Sequence, residues 1–423
     1  MTQQTELDFA TALGRPEEEA AFFNLGPSKR VTDGVTFIPA LGNVSAIIGE
    51  TGILVVDTAQ ERFTSRALQD LRANYSQLPI EAVVYTHGHI DHVTGADKII
   101  AEARERGDRR PHIIGHKLVR PRFDRYKLTS HHNDNINRIQ FNLPPDAQPF
   151  AQAPWTYPDI EYGDAGMEMM VGGLKFELHH SRGETDDETW VWQPDRKIIC
   201  TGDTFVWCSP NAGNPYKVQR YARDWADALE EMAALKPEHL LPGHGPAMSG
   251  QGRIEEALLS TAHLLRSIHD QVVEGMNSGK WLEDIIRDID WPSTDKPWLQ
   301  PIYDHPEFIA RNVYRLYGGW WNGDPADMLP AHSEEVAAAL TGAVGAAPIL
   351  ERARAAQAEG DIKLACHLAD FVRKGDPNNK EGWELWRDLF TERAASERSL
   401  MARGAFKYAI RMAEAKLKEL GAG

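Results

Sequence analysis

The run Thr86-His87-Gly88-His89-Ile90-Asp91-His92 gathers three imidazoles and a carboxylate into a few consecutive positions. It follows Ala82-Val83-Val84-Tyr85, an apolar stretch that predicts a buried strand, so the polar cluster falls where a strand gives way to a loop. A period of two puts His87 and His89 on one face, with Asp91 and His92 following as the chain turns away. Imidazole and carboxylate are the usual donors for metals of the zinc class, and this set suits two such ions. The plain alternative is a solvated histidine-rich loop, which gives no reason for this spacing at a strand end.

Ligands of this kind must be aimed by rigid strand ends and short turns, because loose loops hold a site too poorly. Four further stretches have that form. Gly52-Ile53-Leu54-Val55-Val56-Asp57-Thr58 reads as a strand ending in aspartate, and Ser181-Arg182-Gly183-Glu184-Thr185 as a glycine turn that carries a carboxylate. Cys200-Thr201-Gly202-Asp203-Thr204 and Leu241-Pro242-Gly243-His244-Gly245 are glycine turns that present Asp203 and His244. Taken in order, the five stretches resemble the signature of the metallo-β-lactamase-fold hydrolases, with Glu184 standing where that family usually has a third metal histidine. The resemblance implies one metal on His87, His89 and Glu184, a second on Asp91, His92 and His244, and Asp203 as the bridge. Asp91 and Asp203 are then the catalytic carboxylates.

Glu184, together with Arg311-Asn312-Val313-Tyr314-Arg315-Leu316-Tyr317-Gly318-Gly319-Trp320-Trp321-Asn322-Gly323-Asp324-Pro325, is similar to the alkylsulfatase branch of that fold and to the start of its helical dimerisation domain. Two departures bear on substrate. The bridging carboxylate of alkylsulfatases is typically a glutamate, and here it is Asp203. The histidine and arginine that follow it in those enzymes are replaced by Phe205-Val206-Trp207-Cys208-Ser209-Pro210-Asn211-Ala212-Gly213-Asn214-Pro215-Tyr216-Lys217. Substrate contacts are therefore expected from Tyr126, Trp207, Asn211, Asn214 and Lys217, with Arg220 as a further cation. The resemblance implies Zn2+, two per chain, with iron or manganese as alternatives. It also implies hydrolysis of an ester of an organic alcohol by a metal-activated water, an alkyl sulfate first. A carboxylic ester, lactone or aryl ether is the alternative on the same scaffold, and a di-iron redox enzyme of the same fold is a different class.

Composition is consistent with an acidic enzyme. The 423 residues carry a formal charge of −16, which argues against a nuclease of the same fold and against nucleic acid as a partner. A hydrophobic share of 42% is ample for two or three cores. Cys200, Cys208 and Cys366 have no framework spacing, as expected in a reducing compartment. Met1 to Leu25 lacks an apolar signal-peptide core, and no stretch of 18 apolar residues suggests a membrane span, so the expectation is a cytoplasmic protein with no membrane partner.

The expected fold class is α/β: an αββα metallo-β-lactamase sandwich over 1–265, followed by an all-α, TPR-like helical domain over 266–423. Gly42-Asn43 and Glu50-Thr51-Gly52 read as hairpin turns, and Phe63, Ala67, Leu68, Leu71 and Tyr75 keep helical spacing. Trp225, Leu229, Met232 and Leu235 mark another helix face. Residues 117–163, with Arg122, Arg125, Tyr126, His131, His132, Asn137 and Arg138, read as a long loop that is either a binding loop or lid or a solvated surface excursion. In the last third, the stripes Ile362, Ala365, Leu368, Ala369, Val372 and Phe406, Ala409, Ala413, Leu417, Leu420 mark helices, broken at Gly375-Asp376-Pro377. The aromatic junction from Trp291 to Trp321 reads first as core, with a subunit contact or a wall of the active-site cleft as the alternatives, and together with these stripes it points to a homodimer acting on a small-molecule substrate.

Overall fold

The computed structural model describes residues 26–421, so the reading of Met1 to Leu25 lies outside the described residues. Seven strands form the first sheet in sequential order: β1 (Lys29–Thr32), β2 (Val35–Ile38), β3 (Val44–Ile48), β4 (Ile53–Val56), β5 (Ile80–Val84), β6 (His112–His116) and β7 (Ile160–Tyr162). The predicted hairpin turns join β2, β3 and β4 as antiparallel neighbours, and β4 through β7 then run parallel. Parallel neighbours need crossovers, and these are α1 (Glu61–Asn74), α2 (Ile90–Val93) and α3 (Ala96–Arg106). The helix predicted from Phe63 to Tyr75 is α1, which buries Thr64, Ala67 and Leu71.

The 117–163 segment is not a loop. It folds into α4 (Val119–Leu128) and α5 (Ser130–Gln140) before reaching β7. Its many charges hide the helix signal, because Arg122 turns inward to an ion pair with Asp187 while Phe123 and Tyr126 fill the core.

The second sheet holds β8 (Met167–Val171), β9 (Leu174–Ser181), β10 (Glu188–Gln193), β11 (Ile198–Val206), β12 (His239–His244) and β13 (Met248–Ser249), again in sequential order. Alternate residues of the two sheets meet in one apolar layer that includes Phe37, Leu54, Val84, Phe176, Val191 and Cys200. Helices α6 (Ala222–Ala234), α7 (Gln251–Asn277), α8 (Leu282–Asp288) and α9 (Pro306–Tyr317) complete this unit. A second core, with Trp225, Leu229, Leu265, Trp298 and Ile309, joins them to the second sheet. The sandwich expected from the sequence is therefore present, and a helical region follows it.

The chain divides into two compact units, one of residues 26–134 and 148–318 among those described, the other of 135–147 and 319–421. The boundary expected at 265/266 falls inside the continuous helix α7, and residues 266–318 pack with the sandwich. Their burying residues, among them Ile285, Trp298, Ile309 and Val313, share a core with α6 and α7, which accounts for the shift. Of the aromatic junction, Trp298 and Tyr314 are buried, whereas Trp291, Tyr317 and Trp320 are exposed. The second unit contains α10 (Ser333–Val344), α11 (Ala346–Ala358), α12 (Ile362–Gly375), α13 (Lys380–Ser396) and α14 (Leu400–Glu419). Its core takes Ala365, Ala369 and Val372 from one predicted stripe and Ala409, Ala413 and Leu417 from the other. Among the described residues no single helix is long and apolar enough to cross a membrane.

Candidate metal centre

Strand ends from both sheets deliver the polar cluster. Beyond β5, His87 and His89 occupy the loop, His89 stands just before the first residue of α2, and Asp91 and His92 sit within that single helical turn. Glu184 comes from the turn between β9 and β10, Asp203 from within β11, and His244 from the end of β12. Together they form two groups, His87, His89, Glu184 and Asp203 in one, Asp91, His92 and His244 in the other, with ligand atoms inside each group no more than 4.8 Å apart. Asp203 joins the two: Oδ2 lies 3.9 Å from His87 Nε2 and 3.5 Å from His244 Nε2, and Oδ1 lies 3.4 Å from His92 Nε2. Asp91 Oδ2 is 3.3 Å from His244 Nε2 and 3.8 Å from His92 Nε2. All seven side chains named from the sequence are thus in one place. Gly243 is required here, since a Cβ on it would stand 2.1 Å from Asp203 Oδ1.

The donor set fits divalent ions. His92 Nε2 and Asp203 Oδ1 are buried and lack a hydrogen bond, a costly state unless a cation is bound between them. Burial first, then the neighbouring charges of His92 and His87 respectively, holds His87 and His89 well below the usual imidazole range, so both are neutral and carry lone pairs. Burial alone would raise Asp203, but His244 and His92 outweigh it and hold the carboxyl well below its ordinary range. Burial pushes Glu184 up, opposed by Arg220 and reinforced by Asp203.

Behind these side chains stands a layer that orients them. Asp57 Oδ2 lies 2.7 Å from His92 Nδ1 and 2.8 Å from Thr86 Oγ1, while its Oδ1 accepts the Thr86 N–H at 2.8 Å. Its backbone is left-handed, φ 60°, a strained choice for a residue with a Cβ that surrounding bonds must enforce. Asp187 accepts the Gly88 N–H at 3.0 Å and Arg122 Nε at 2.7 Å, fixing the His-Gly-His loop. Arg220 Nη1 lies 2.8 Å from Glu184 Oε1, and Asn211 Nδ2 donates to the same oxygen.

The residues expected to meet substrate divide sharply. Trp207 is fully buried and its Nε1 donates to Pro246 O at 2.8 Å, so it is a core residue. Asn211 supports Glu184, and Asn214, also buried, accepts the Tyr216 N–H at 2.9 Å. Arg220 is buried against Glu184, and Arg122 against Asp187. Tyr126 and Lys217 remain near the centre. The Tyr126 ring lies 6.5 Å from that of His89 and stacks on Trp155 at 5.5 Å, with Phe150 at 5.0 Å. Lys217 Nζ lies 5.4 Å from the Phe150 ring centre. Burial, aided by Arg220, lowers its ammonium to about 7, while Glu184 and Asp91 pull the other way.

Sequence reasoning missed Asp187, Glu188, Phe150 and Trp155, and placed Tyr303 only within the aromatic junction from Trp291 to Trp321. Glu188 Oε2 accepts Thr204 Oγ1 at 2.7 Å beside Asp203, and burial pushes its carboxyl to about 8. Tyr303 is within electrostatic reach of Glu184, Asp91 and Asp203. It arrives with a brace: Gly213 N donates to Asp304 Oδ2 at 3.0 Å, Ser209 N to Gln300 O at 2.9 Å, and Asn312 Nδ2 to Arg220 O at 2.9 Å. These contacts span about ninety positions of chain, and only the Asp186-Asp187 pair after the Glu184 turn offered a local signal.

Comparison with known proteins places this geometry. Residues 38–244 match the metallo-beta-lactamase superfamily and residues 282–416 the alkyl sulfatase dimerisation family. A linear primary-alkylsulfatase of Pseudomonas sp. is 27% identical over 80% of this chain and 67% of its own length. An (R)-specific secondary-alkylsulfatase of Pseudomonas sp. is 24% identical over 83% of this chain and 56% of its own, and the alkyl/aryl-sulfatase BDS1 of Saccharomyces cerevisiae is 24% identical over 86% and 60%. The chain therefore spans between 56% and 67% of the length of these curated relatives. The solved stereoselective inverting sec-alkylsulfatase Pisa1 from Pseudomonas sp. has the same fold, with a TM-score of 0.82 at 23% identity over 95% of this chain and 67% of that one. The chain carries a metallo-β-lactamase domain followed by an alkyl sulfatase dimerisation domain and is homologous to the linear primary and secondary alkylsulfatases.

Proposed function

We propose that the protein is a dinuclear zinc-dependent hydrolase of sulfuric esters of organic alcohols, with alkyl sulfates as the substrate class, working as a homodimer. One observation carries this reading. Seven side chains able to ligate a metal converge in a metallo-β-lactamase domain whose chain continues into an alkyl sulfatase dimerisation domain. His87, His89 and Glu184 would hold one ion, Asp91, His92 and His244 the other, with Asp203 between them. Two such ions supply Lewis acidity, lower the pKa of water toward ~7 and stabilise the leaving oxygen.

The chain's own residues do the rest. Asp57 fixes the His92 ring so that Nε2 faces Asp203, and Asn211 with Arg220 pins the Glu184 carboxylate. Lys217 provides a positive charge beside the centre for the sulfate, in place of the arginine absent from 205–217. Tyr126, Phe150 and Trp155 form an apolar aromatic wall suited to the alcohol portion. Support for the dimer comes from the dimerisation domain and from Val336, Leu340 and Val344, which stand exposed at helical spacing along α10.

The test is a panel on zinc-loaded full-length protein: alkyl sulfates, alkyl phosphates, carboxylic esters, lactones and aryl ethers of matched alcohol. Sulfate release from the alkyl sulfates, above all other hydrolyses and abolished by a chelator, is the expected result. Preference for a carboxylic ester or lactone, with no sulfate above blank, would overturn the substrate assignment.

A further inference from the structure

A second cluster of ligating groups lies apart from the seven. One ring nitrogen each from His116 and His180 and a carboxylate oxygen of Asp164 fall within 4.8 Å of one another. His116 closes β6 and Asp164 lies in the turn after β7, both on the first sheet's side, whereas His180 belongs to β9 in the second sheet. His116 is fully buried, with Nε2 3.2 Å from Asp164 Oδ1 and a buried Nδ1 that makes no hydrogen bond.

The tautomer of His180 is fixed. Its Nδ1 stands 3.0 Å from the carbonyl oxygen of Glu188, and a carbonyl can only accept, so Nδ1 holds the proton and Nε2 the lone pair. Metal-ligating histidines are oriented in this same way, by giving the other ring N–H to a backbone carbonyl. The two rings are stacked, centres 3.6 Å apart and planes 6° apart. A lone pair lies in the plane of its ring, so one of the two rings must turn out of the stack for both nitrogens to face a single ion at ~2.0–2.1 Å. Burial above all keeps both imidazoles below their ordinary range, His116 at about 4, and therefore neutral.

A cleft of about 490 Å³ opens beside the cluster, lined by Asp164, His180, Arg182, Asp224, Asp227 and Glu231 among others. Of these carboxylates Asp224 is met by Arg182 and Asp227 by Arg266, whereas Asp164, the one in the cluster, is met by Lys117. Lys117 Nζ, 2.8 Å from Asp164 Oδ1, is the cation at present, and its half-exposed, flexible stem can leave for solvent.

We propose that His116, Asp164 and His180 bind a divalent cation of the zinc class, which ties the end of β6 to β9 and so links the two sheets. Three protein ligands leave a fourth position open toward the cleft for water or a small anion. The site is independent of the seven-ligand centre and of the reaction proposed for it.

The experiment loads the full-length protein with Zn2+, removes loose metal by gel filtration and counts zinc by mass spectrometry. Wild type is compared with Asp164→Asn and His180→Gln. Each variant should retain one zinc fewer per chain than wild type and keep its circular dichroism. Losing merely an outer partner of a ligand weakens metal binding about 10–100-fold, so losing a ligand should weaken this site at least tenfold. Asp164 lies in an exposed turn, so Asp164→Asn should leave the fold intact, which guards against a loss that reflects unfolding. Added zinc should raise the melting temperature of wild type above that of both variants. Equal zinc content in all three proteins would overturn the proposal. So would loss in His180→Gln while Asp164→Asn matches wild type, since that pattern is a packing effect.

Discussion

Asp203 is the side chain on which the centre turns, because its oxygens face His87, His92 and His244 within 3.9 Å. Asp203→Ala should lose zinc and turnover together, and a variant that kept both ions and most of its activity would contradict the bridging role. Asp57 acts one step back. Asp57→Asn leaves His92 without its orienting carboxylate and should weaken zinc binding about 10–100-fold, as read by titration against a competing chelator. Lys217 gives the pH dependence. Its ammonium is lowered to about 7, so the positive charge is present below pH 7 and is lost as pH rises through that value. For an anionic substrate kcat/KM should fall along a limb near pH 7. Lys217→Met should remove that limb and lower the acid-side rate about 10–100-fold, the worth of a charged hydrogen bond. At this scale the convergence of the seven side chains was legible, because residue type and spacing carry metal chemistry directly. Trp207, Asn211 and Asn214 were misread as substrate contacts, because type does not tell direction. Their loop is turned inward by Gln300, Asp304 and Asn312, which arrive from far along the chain.

Strand ends set the precision of the site. β5, β11 and β12 stop or turn together, and the backbone at Gly243 passes so near Asp203 that a methyl group has no room. Gly243→Ala should therefore keep the fold's circular dichroism while losing metal, since Asp203 or the β12 turn must move. Melting curves with and without zinc, which should no longer differ, check this. Residues 297–317 matter for the same reason. Trp298 is buried against Trp207, ring centres 6.1 Å apart, and Trp298→Ala should destabilise the protein by about 3–5 kcal/mol, measured by denaturant unfolding. The hairpins, α1 and α6 could be read from alternation and helical spacing. The helices α4 and α5 could not, because their charged residues are satisfied by partners such as Asp187 that local periodicity does not register.

For the whole molecule, the division near residue 318 changes what a truncation means. A chain ending near Ser267 cuts through α7 and removes Trp298, Ile309 and Val313 from a core that also holds Trp225 and Leu265. It should be insoluble or inactive, whatever the oligomeric state. Dimerisation is tested separately by light scattering: the full chain should be a dimer, and Leu340→Asp on the exposed stripe of α10 should shift it toward monomer. A monomeric wild type would remove the dimer from the account. The order of a sandwich followed by helices was legible from periodicity and motif order, while the boundary was not, since α7 runs through it without a break. The most direct test of the central claim is anomalous diffraction at the zinc edge from zinc-loaded crystals. Two ions about 3.5–4 Å apart are expected at the seven-residue centre, with Asp203 bonded to both and Glu184 to one. A single ion there, or Glu184 or Asp203 more than about 4 Å from any metal when a bond needs ~2.0–2.2 Å, would contradict the claim.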